Sequence, residues 1–394
     1  MNFFAPLFLA HNTFWSYAMP GASISGDFVS CRDNAALDRV AQDSSLAQGG
    51  NAHEQVSERG VQGSDHLTLA VPAQTPAASP VSSAEDRALP ATRGAQWLTH
   101  TVERSGDTHR AKVYIPSGYD GRPLPMMLML HGAQQHPDDF AAGTQMNVAA
   151  EDAGFIVVYP EQPESANLLR CWNWFIPLNQ ARDTGETAAL AALTNDLIAR
   201  FNVDRARVYV AGLSAGGAMA INLAVTHPDL YAAAAIHSGL AFGVANEHLS
   251  ALCAMNDGRG TICLPKRKEG GASMGPVPLI VFHGDADDTV HPFNSEQVME
   301  MSQLLDSQAA DARVCTTTQV EHEPGRHGYT RDVWRDQGGS LLAERWVVHG
   351  LGHAWSGGHA DGSYTDHRGP DATAEIVRFV SEFSLENTRN GSLM

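Results

Sequence analysis

A serine set between small neighbours, Gly212-Leu213-Ser214-Ala215-Gly216, follows the β-prone run 208–211 and opens a stretch of small and apolar residues of helical character. Gly-x-Ser-x-Gly between a strand and a helix is the signature of a nucleophile elbow. In that sharp turn the serine backbone is strained, and only neighbours without bulk let the chain segments pass closely. In a chain with 36 glycines the bare pattern is weak; its flanking strand and helix make it specific. A serine hydroxyl is a poor nucleophile near neutral pH and needs a base to take its proton, with a third group to orient that base. The chemistry to look for is nucleophilic attack by Ser214, with an acid and then a histidine later in the chain.

Both partners occur in that order. Residues 278–290 run from a buried-type strand into a glycine turn crowded with carboxylates. Asp287 is the preferred acid; Asp285 and Asp288 are alternatives, and at least two of the three only cap the turn. Residues 345–358 again lead a strand into a glycine-rich loop. His353 lies past the strand end, where a loop can carry it over the serine, whereas His349 at the strand terminus reads as a hydrogen-bonded structural histidine. Most of the 18 histidines must be structural, and it is the place third in the Ser, Asp, His order that singles out His353.

Attack on a carbonyl also requires donors for the oxyanion. One is the backbone N–H of Ala215. The other belongs to the loop after an earlier strand, and the run 126–130 ends in His131-Gly132. Ala133 is the expected donor; Gln134, next in the loop, is the alternative and a candidate substrate contact. Trp174, in Cys171-Trp172-Asn173-Trp174-Phe175, and Trp355, two residues after the candidate base, are expected to wall an apolar acyl pocket, although tryptophans more often serve the core.

These loops need a scaffold. Candidate strands are 97–104, 110–115, 126–130, 155–159, 208–211, 232–236, 279–282 and 345–348, alternating with helical stretches at 144–153, 187–201, 215–226, 294–307 and 372–386. The alternation indicates an α/β chain with a mostly parallel central sheet and helices on both faces, as in an α/β-hydrolase. The first two strands, joined through Ser105-Gly106, are expected to form an antiparallel hairpin at the sheet edge. From Gly21 to about Ala91 the composition turns to Ser, Ala, Gln, Gly, Asp and Pro without hydrophobic periodicity. Such a segment cannot bury enough apolar surface to offset its ordering entropy. Residues 1–93 are therefore expected to be a poorly ordered leader, with local helix at 35–40, ahead of a catalytic domain over 94–394.

With 394 residues and 43% hydrophobic content the chain can bury a full core. Its net charge of -18 disfavours nucleic acid and anionic membranes as partners and suits a neutral substrate. The run 1–19 lacks the positive start of an export signal and is too short and polar to span a membrane, so no compartment is assigned. The five cysteines, Cys31, Cys171, Cys253, Cys263 and Cys315, have no Cys-x-x-Cys spacing. With no phosphate loop or metal-ligand spacing either, neither metal nor organic cofactor is expected.

The motifs Leu130-His131-Gly132, Cys171-Trp-Asn-Trp-Phe175, Gly212-Leu-Ser-Ala-Gly-Gly217, His283-Gly-x-x-Asp287-x-x-Val290 and Gly350-x-Gly-His353-x-Trp355, in that order, make the chain resemble the esterase family of polyhydroxybutyrate depolymerases over about residues 97–383. The resemblance implies a serine esterase acting on poly(3-hydroxyalkanoate) chains, their oligomers, or feruloyl and acetyl esters of plant polysaccharide. It implies Ser214 as nucleophile, His353 as base and Asp287, rather than Asp285, as the orienting acid. A prolyl-oligopeptidase-type peptidase shares the triad order but usually carries a propeller, and a silent hydrolase fold used for binding is the rival from another class. Many extracellular depolymerases have Cys where this chain has Ala133, a change a backbone donor survives. No Thr-rich linker or separate polymer-binding domain is visible, so the resemblance favours amorphous polymer, oligomers or small soluble esters.

Overall fold

The computed structural model describes residues 94–104, 107–265, 276–306, 313–320 and 324–386. All of them belong to the unit Asp86–Met394. The expected leader 1–93, its local helix at 35–40 and the turn at 105–106 lie outside the described residues.

Strands β1 (Gln96–Arg104), β2 (Asp107–Ile115), β3 (Leu124–Leu130), β4 (Ile156–Pro160), β5 (Val203–Leu213), β6 (Ala233–His237), β7 (Leu279–Gly284), β8 (Val314–Val320), β9 (Tyr329–Arg335) and β10 (Leu341–Val348) form one sheet. Their order is β1-β2-β4-β3-β5-β6-β7-β10-β9-β8. From β4 to β10 every neighbouring pair is parallel. Antiparallel strands close both ends: the β1–β2 hairpin pairs with β4 through β2, and β9 and β8 extend the sheet beyond β10.

The central strands are buried on both faces, which is why they read as unbroken apolar runs rather than alternating ones. In β3, Met126, Leu128 and Leu130 enter one core while Met127 and Met129 enter the other. Each such side chain, taken fully out of water, contributes about 1.5–3 kcal/mol, so a slip in register would be heavily penalised. Helices α3 (Gly185–Arg200), α4 (Ala215–Thr226), α5 (His248–Asp257) and α6 (Phe293–Leu305) supply Leu197, Met219, Ala254 and Val298 to the first core. Helices α1 (Pro137–Thr144), α2 (Met146–Ala153) and α7 (Ala372–Val380) supply Phe140, Ala150 and Ile376 to the second. The expected sheet with helices on both faces is the observed one. No disulfide joins the described cysteines Cys171, Cys253, Cys263 and Cys315 to one another.

Several elements differ from the sequence expectation. The helix expected at 144–153 is α2, beginning at Met146, and Gln145, whose φ of 54° is left-handed and cannot continue a helix, separates it from α1, which was not expected. Helix α1 starts at Pro137, with His136 Nδ1 accepting from the Asp139 N–H (3.3 Å) at its cap. Strands β8 and β9 and helix α5 were not expected: β8 is exposed along its whole length and so carries no hydrophobic alternation. Strand β5 begins five residues before the expected one, at Val203, because its first half is solvated and polar.

The turn from β5 into α4 depends on two glycines. A methyl group on Gly212 would overlap the backbone of Gly216, and one on Gly216 would overlap the carbonyl of Leu130 in β3. Backbone meets backbone at both places, with no flexible side chain to move aside. Gly216→Ala and Gly212→Ala are therefore each expected to destabilise the fold by about 1–3 kcal/mol or more, read as a lowered urea midpoint. An unchanged midpoint in either variant would contradict this packing.

Candidate active site

The parallel strands end in register. Leu130 pairs with Gly212, Leu213 with His237, His237 with Phe282, and Gly284 with Val348, so the loops after β3, β5, β6, β7 and β10 emerge along one edge. The chain leaves β3 toward β4 on one side and returns to β5 on the other. In open parallel sheets ligands bind at such a reversal, outside the carboxyl ends of the strands.

Ser214 occupies the turn between β5 and α4 with φ 56° and ψ -119°, a region L-residues adopt only when the surroundings enforce it. The enforcing contacts are the glycine packing and two backbone hydrogen bonds. The Ser214 N–H donates to the His237 carbonyl (2.8 Å), and the Ser214 carbonyl accepts from Ala218 N–H (2.9 Å). The side chain stands at the head of the helix, partly exposed.

The loop after β7 presents its carboxylates to two different histidines. Asp287 Oδ2 accepts from His353 Nδ1 (2.8 Å), with the Asp287 carboxylate fully buried and the imidazole nearly so. Asp285 instead pairs with His349 Nδ1 (2.9 Å) and Gly350 N–H (2.6 Å) at the exposed surface, and His349 is also held by Thr330 (3.0 Å). Asp288 is exposed beside Thr289. Of the three, only Asp287 is buried and paired with a largely buried histidine.

Its other oxygen accepts the N–H groups of Thr289 (3.0 Å) and Val290 (2.9 Å), which fix the carboxylate rotamer. His283 Nε2 donates to the Val290 carbonyl (2.8 Å) and lies 3.4 Å from Asp287 Oδ2. Burial alone would raise the Asp287 pKa. The charge of His353, hydrogen bonds from His283 and His353, and the charge of His283 outweigh it and hold the carboxyl well below the usual range. An ionised carboxylate only accepts, so His353 carries its proton on Nδ1 and leaves Nε2 as the basic nitrogen.

The loop after β3 has a defined hydrogen-bond pattern. Gly132 N–H donates to Gln135 Oε1 (2.9 Å), and Gln134 N–H donates to the Leu169 carbonyl (2.7 Å). Gln134, the alternative oxyanion donor, therefore has its N–H committed elsewhere. Among the described hydrogen bonds none uses the N–H of Ala133 or Ala215. Gln135, which the sequence did not single out, is buried and ties this loop to the strap after His353. Its Nε2 donates to Asp139 Oδ2 (3.1 Å) and to the Ser363 carbonyl (3.0 Å).

The two tryptophans expected to wall a pocket are buried in the two hydrophobic cores. Trp355 is 1% exposed, edge-on to Phe140 (5.6 Å) and stacked on His237 (5.1 Å), with Nε1 donating to Thr373 (3.1 Å). It is a core residue. Trp174 is 4% exposed, its ring edge-on to Phe175 (5.4 Å) and its carbonyl bound by Asn222 (2.8 Å), which places it in the core as well. The aromatic segment acts from behind the site: Trp172 Nε1 donates to the His131 carbonyl (3.1 Å) at the base of the β3 loop. The aromatic residue at the rim is Tyr364. Its hydroxyl donates to Gln134 Oε1 (2.9 Å) and its ring stands edge-on to His353 at 6.4 Å. Its signal in the sequence was faint, a lone tyrosine in a polar loop.

Two buried histidines brace the loops without facing solvent. His131 Nε2 accepts from Gln162 N–H (3.2 Å), and burial pushes its pKa down to about 4. His237 Nε2 accepts from Ser356 N–H (3.0 Å), and burial, with the nearby charges of His283 and His353, pushes its pKa down to about 3. His237 thus holds the Ser214 turn through its carbonyl and the His353 loop through its ring. Among the described residues no group of three or more His, Cys, Asp or Glu is placed to hold a metal ion.

A parallel sheet with this strand order, a strained serine at the β5–α4 turn and an Asp–His pair on the following loops define an α/β-hydrolase. The chain belongs to the Esterase PHB depolymerase family, whose model matches residues 110–324. It is 31% identical over 245 residues to poly(3-hydroxyalkanoate) depolymerase C of Paucimonas lemoignei, covering 61% of this chain and 57% of that protein. It is 34% identical over 134 residues to feruloyl esterase B of Thermothelomyces thermophilus, covering 34% of this chain and 45% of that one. The chain thus spans about half the length of these curated relatives. Among solved structures, an acetyl xylan esterase from Aspergillus awamori superposes with a TM-score of 0.52 over 66% of this chain and 94% of that one, at 21% identity, a likeness of fold.

Two outcomes follow from the electrostatics. Asp287→Asn should lower ester hydrolysis by about 10⁴ in kcat, whereas Asp285→Asn should leave it within about tenfold of wild type; equal losses would remove the distinction between the pairs. Unfolded imidazoles titrate near 6.5, while His131 and His237 stay neutral in the fold to about 4 and about 3. The unfolded chain therefore binds more protons below pH ~6.5, and stability must fall on acidification by up to about 1.4 kcal/mol per pH unit for each histidine. The urea midpoint at pH 5 should lie below that at pH 7.5; the reverse order would contradict the buried neutral state.

Proposed function

We propose that the protein is a serine carboxylesterase that hydrolyses ester bonds of poly(3-hydroxybutyrate)-type polyesters or their oligomers. The observation that carries the reading is the buried Asp287–His353 hydrogen bond on the loops beside the strained Ser214 turn. His353 Nε2 takes the Ser214 proton as Oγ attacks the ester carbonyl carbon. The oxyanion accepts from the N–H groups of Ala133 and Ala215. The carbon–oxygen bond to the alcohol then breaks, and His353 returns the proton to the departing alkoxide, leaving an acyl group on Ser214. Water gives a proton to the same nitrogen as it attacks the acyl carbon, and the acid departs as Oγ is reprotonated. Asp287 keeps the imidazole in the required tautomer and stabilises the imidazolium.

Family membership and the 31% identity to a poly(3-hydroxyalkanoate) depolymerase support the polyester substrate. The 34% identity to a feruloyl esterase supports a second reading, hydrolysis of feruloyl or acetyl esters of plant polysaccharide by the same residues. Purified protein is to be offered amorphous polyhydroxybutyrate, hydroxybutyrate oligomers, methyl ferulate and acetylated xylan. Release of 3-hydroxybutyrate is expected, reduced at least about a thousandfold in Ser214→Ala and in His353→Ala with the fold retained. Activity confined to ferulate or acetyl esters would move the substrate to the second reading, and substantial activity in either variant would overturn the serine mechanism.

A further inference from the structure

Resting on that reading, we propose that Tyr364 is the specificity-determining residue for the alcohol half of the ester, limiting bulk on the carbon that carries the leaving oxygen.

The general acid fixes where the alcohol lies. His353 must hand its proton to the departing alkoxide, so that oxygen sits at Nε2, and whatever is attached to it extends past the imidazole. The Tyr364 ring neighbours that imidazole, edge-on to His353 with centroids 6.4 Å apart. Its hydroxyl is committed to Gln134 Oε1 at 2.9 Å, and Gln134 directly follows Ala133, the proposed oxyanion donor. The Tyr364–Gln134 pair therefore bridges the rim from the base to the oxyanion loop. With its hydroxyl satisfied by protein, Tyr364, a residue 41% exposed, offers the apolar surface of its ring to the group beside it.

That placement is enforced from several sides. Tyr364 has φ 54°, a left-handed conformation that is costly for an aromatic residue and persists only where neighbours over-determine it. Trp355 N–H donates to its carbonyl (2.7 Å), and the two-residue strands β11 (Trp355–Ser356) and β12 (Thr365–Asp366) pair beside it. The preceding residue, Ser363, is fastened through its N–H to Asp139 Oδ1 (2.8 Å) and through its carbonyl to Gln135 Nε2 (3.0 Å). His359 N–H donates to the Gly143 carbonyl (2.8 Å), which fixes the strap to the end of α1. A strained aromatic held this firmly at a rim has no packing role to justify it, since its ring is not in either core. The polyester and polysaccharide-ester readings both place a carbonyl at Ser214; the alcohol that leaves is a hydroxyacid in the first and a sugar in the second.

The test separates the two halves of the ester. One series holds the acid constant as butyrate and varies the alcohol from methyl through isopropyl to cyclohexyl; the other holds methyl constant and varies the acid from acetate to octanoate. Tyr364→Ala should raise kcat/KM for cyclohexyl relative to methyl butyrate by about tenfold, while ratios within the acid series move by less than about twofold. Gln134→Ala, which frees the ring without removing it, should shift the alcohol series in the same direction by a smaller factor. An unaltered alcohol preference in Tyr364→Ala, or an equal shift in the acid series, would overturn the proposal while leaving the esterase reading intact. Failure of the esterase reading has a different signature: wild type inactive on both series, or Ser214→Ala as active as wild type.

Discussion

Strand β5, the Ser214 turn and helix α4 are held together by contact between main chains. Gly212 lies against Gly216, and Gly216 lies against the Leu130 carbonyl, each too close for a side chain. This approach forces the serine backbone into φ 56° and ψ -119°, and it seats the head of α4 over the end of β3. The loop after β3 and the serine turn are consequently adjacent, as the proposed use of Ala133 and Ala215 as oxyanion donors requires. The small residues of β6, Ala233-Ala234-Ala235, continue the same demand for close packing on the next strand.

Polar connections then fix the loops to one another. His237 binds the serine turn through its carbonyl and Ser356 through its ring, and its neutral buried state makes the ring an acceptor at all but strongly acid pH. Gln135 and Asp139 tie the β3 loop to Ser363, and the Ala286 N–H binds the Leu351 carbonyl (3.1 Å), joining the acid loop to the base loop. The bonds made by the His237 ring and by Gln135 are buried or partly so, where an unmet donor or acceptor costs about 1–3 kcal/mol, and with the others they oppose independent movement of the loops. The rigidity suits chemistry that relies on donors aimed in advance at a developing oxyanion.

What could be read from the sequence is what local chemistry dictates. Gly-x-Ser-x-Gly between an apolar strand and a small-residue helix leaves one arrangement open to it, and the fully buried strands β3, β6 and β7 announce themselves as unbroken apolar runs. Asp287 could not be separated from Asp285 by residue type, because both head toward a histidine; the separation lies in burial, which only the tertiary arrangement decides. Trp174 and Trp355 misled for the same reason, since proximity in sequence to a loop says nothing about which way a ring turns. Gln135 and Tyr364 gave no strong signal: one works through bonds to residues more than 200 positions away, the other through a left-handed backbone in a polar strap. Strands β8 and β9 were missed because an exposed or half-buried edge carries little hydrophobic pattern.

The most direct measurement of the central claim is the site of covalent modification. Brief exposure to a fluorophosphonate, followed by intact mass and peptide mapping, should yield one phosphonyl adduct on the peptide containing Ser214, formed far more slowly in His353→Ala. Modification of another residue, or loss of ester hydrolysis without any adduct on Ser214, would contradict a nucleophilic serine activated by the Asp287–His353 pair.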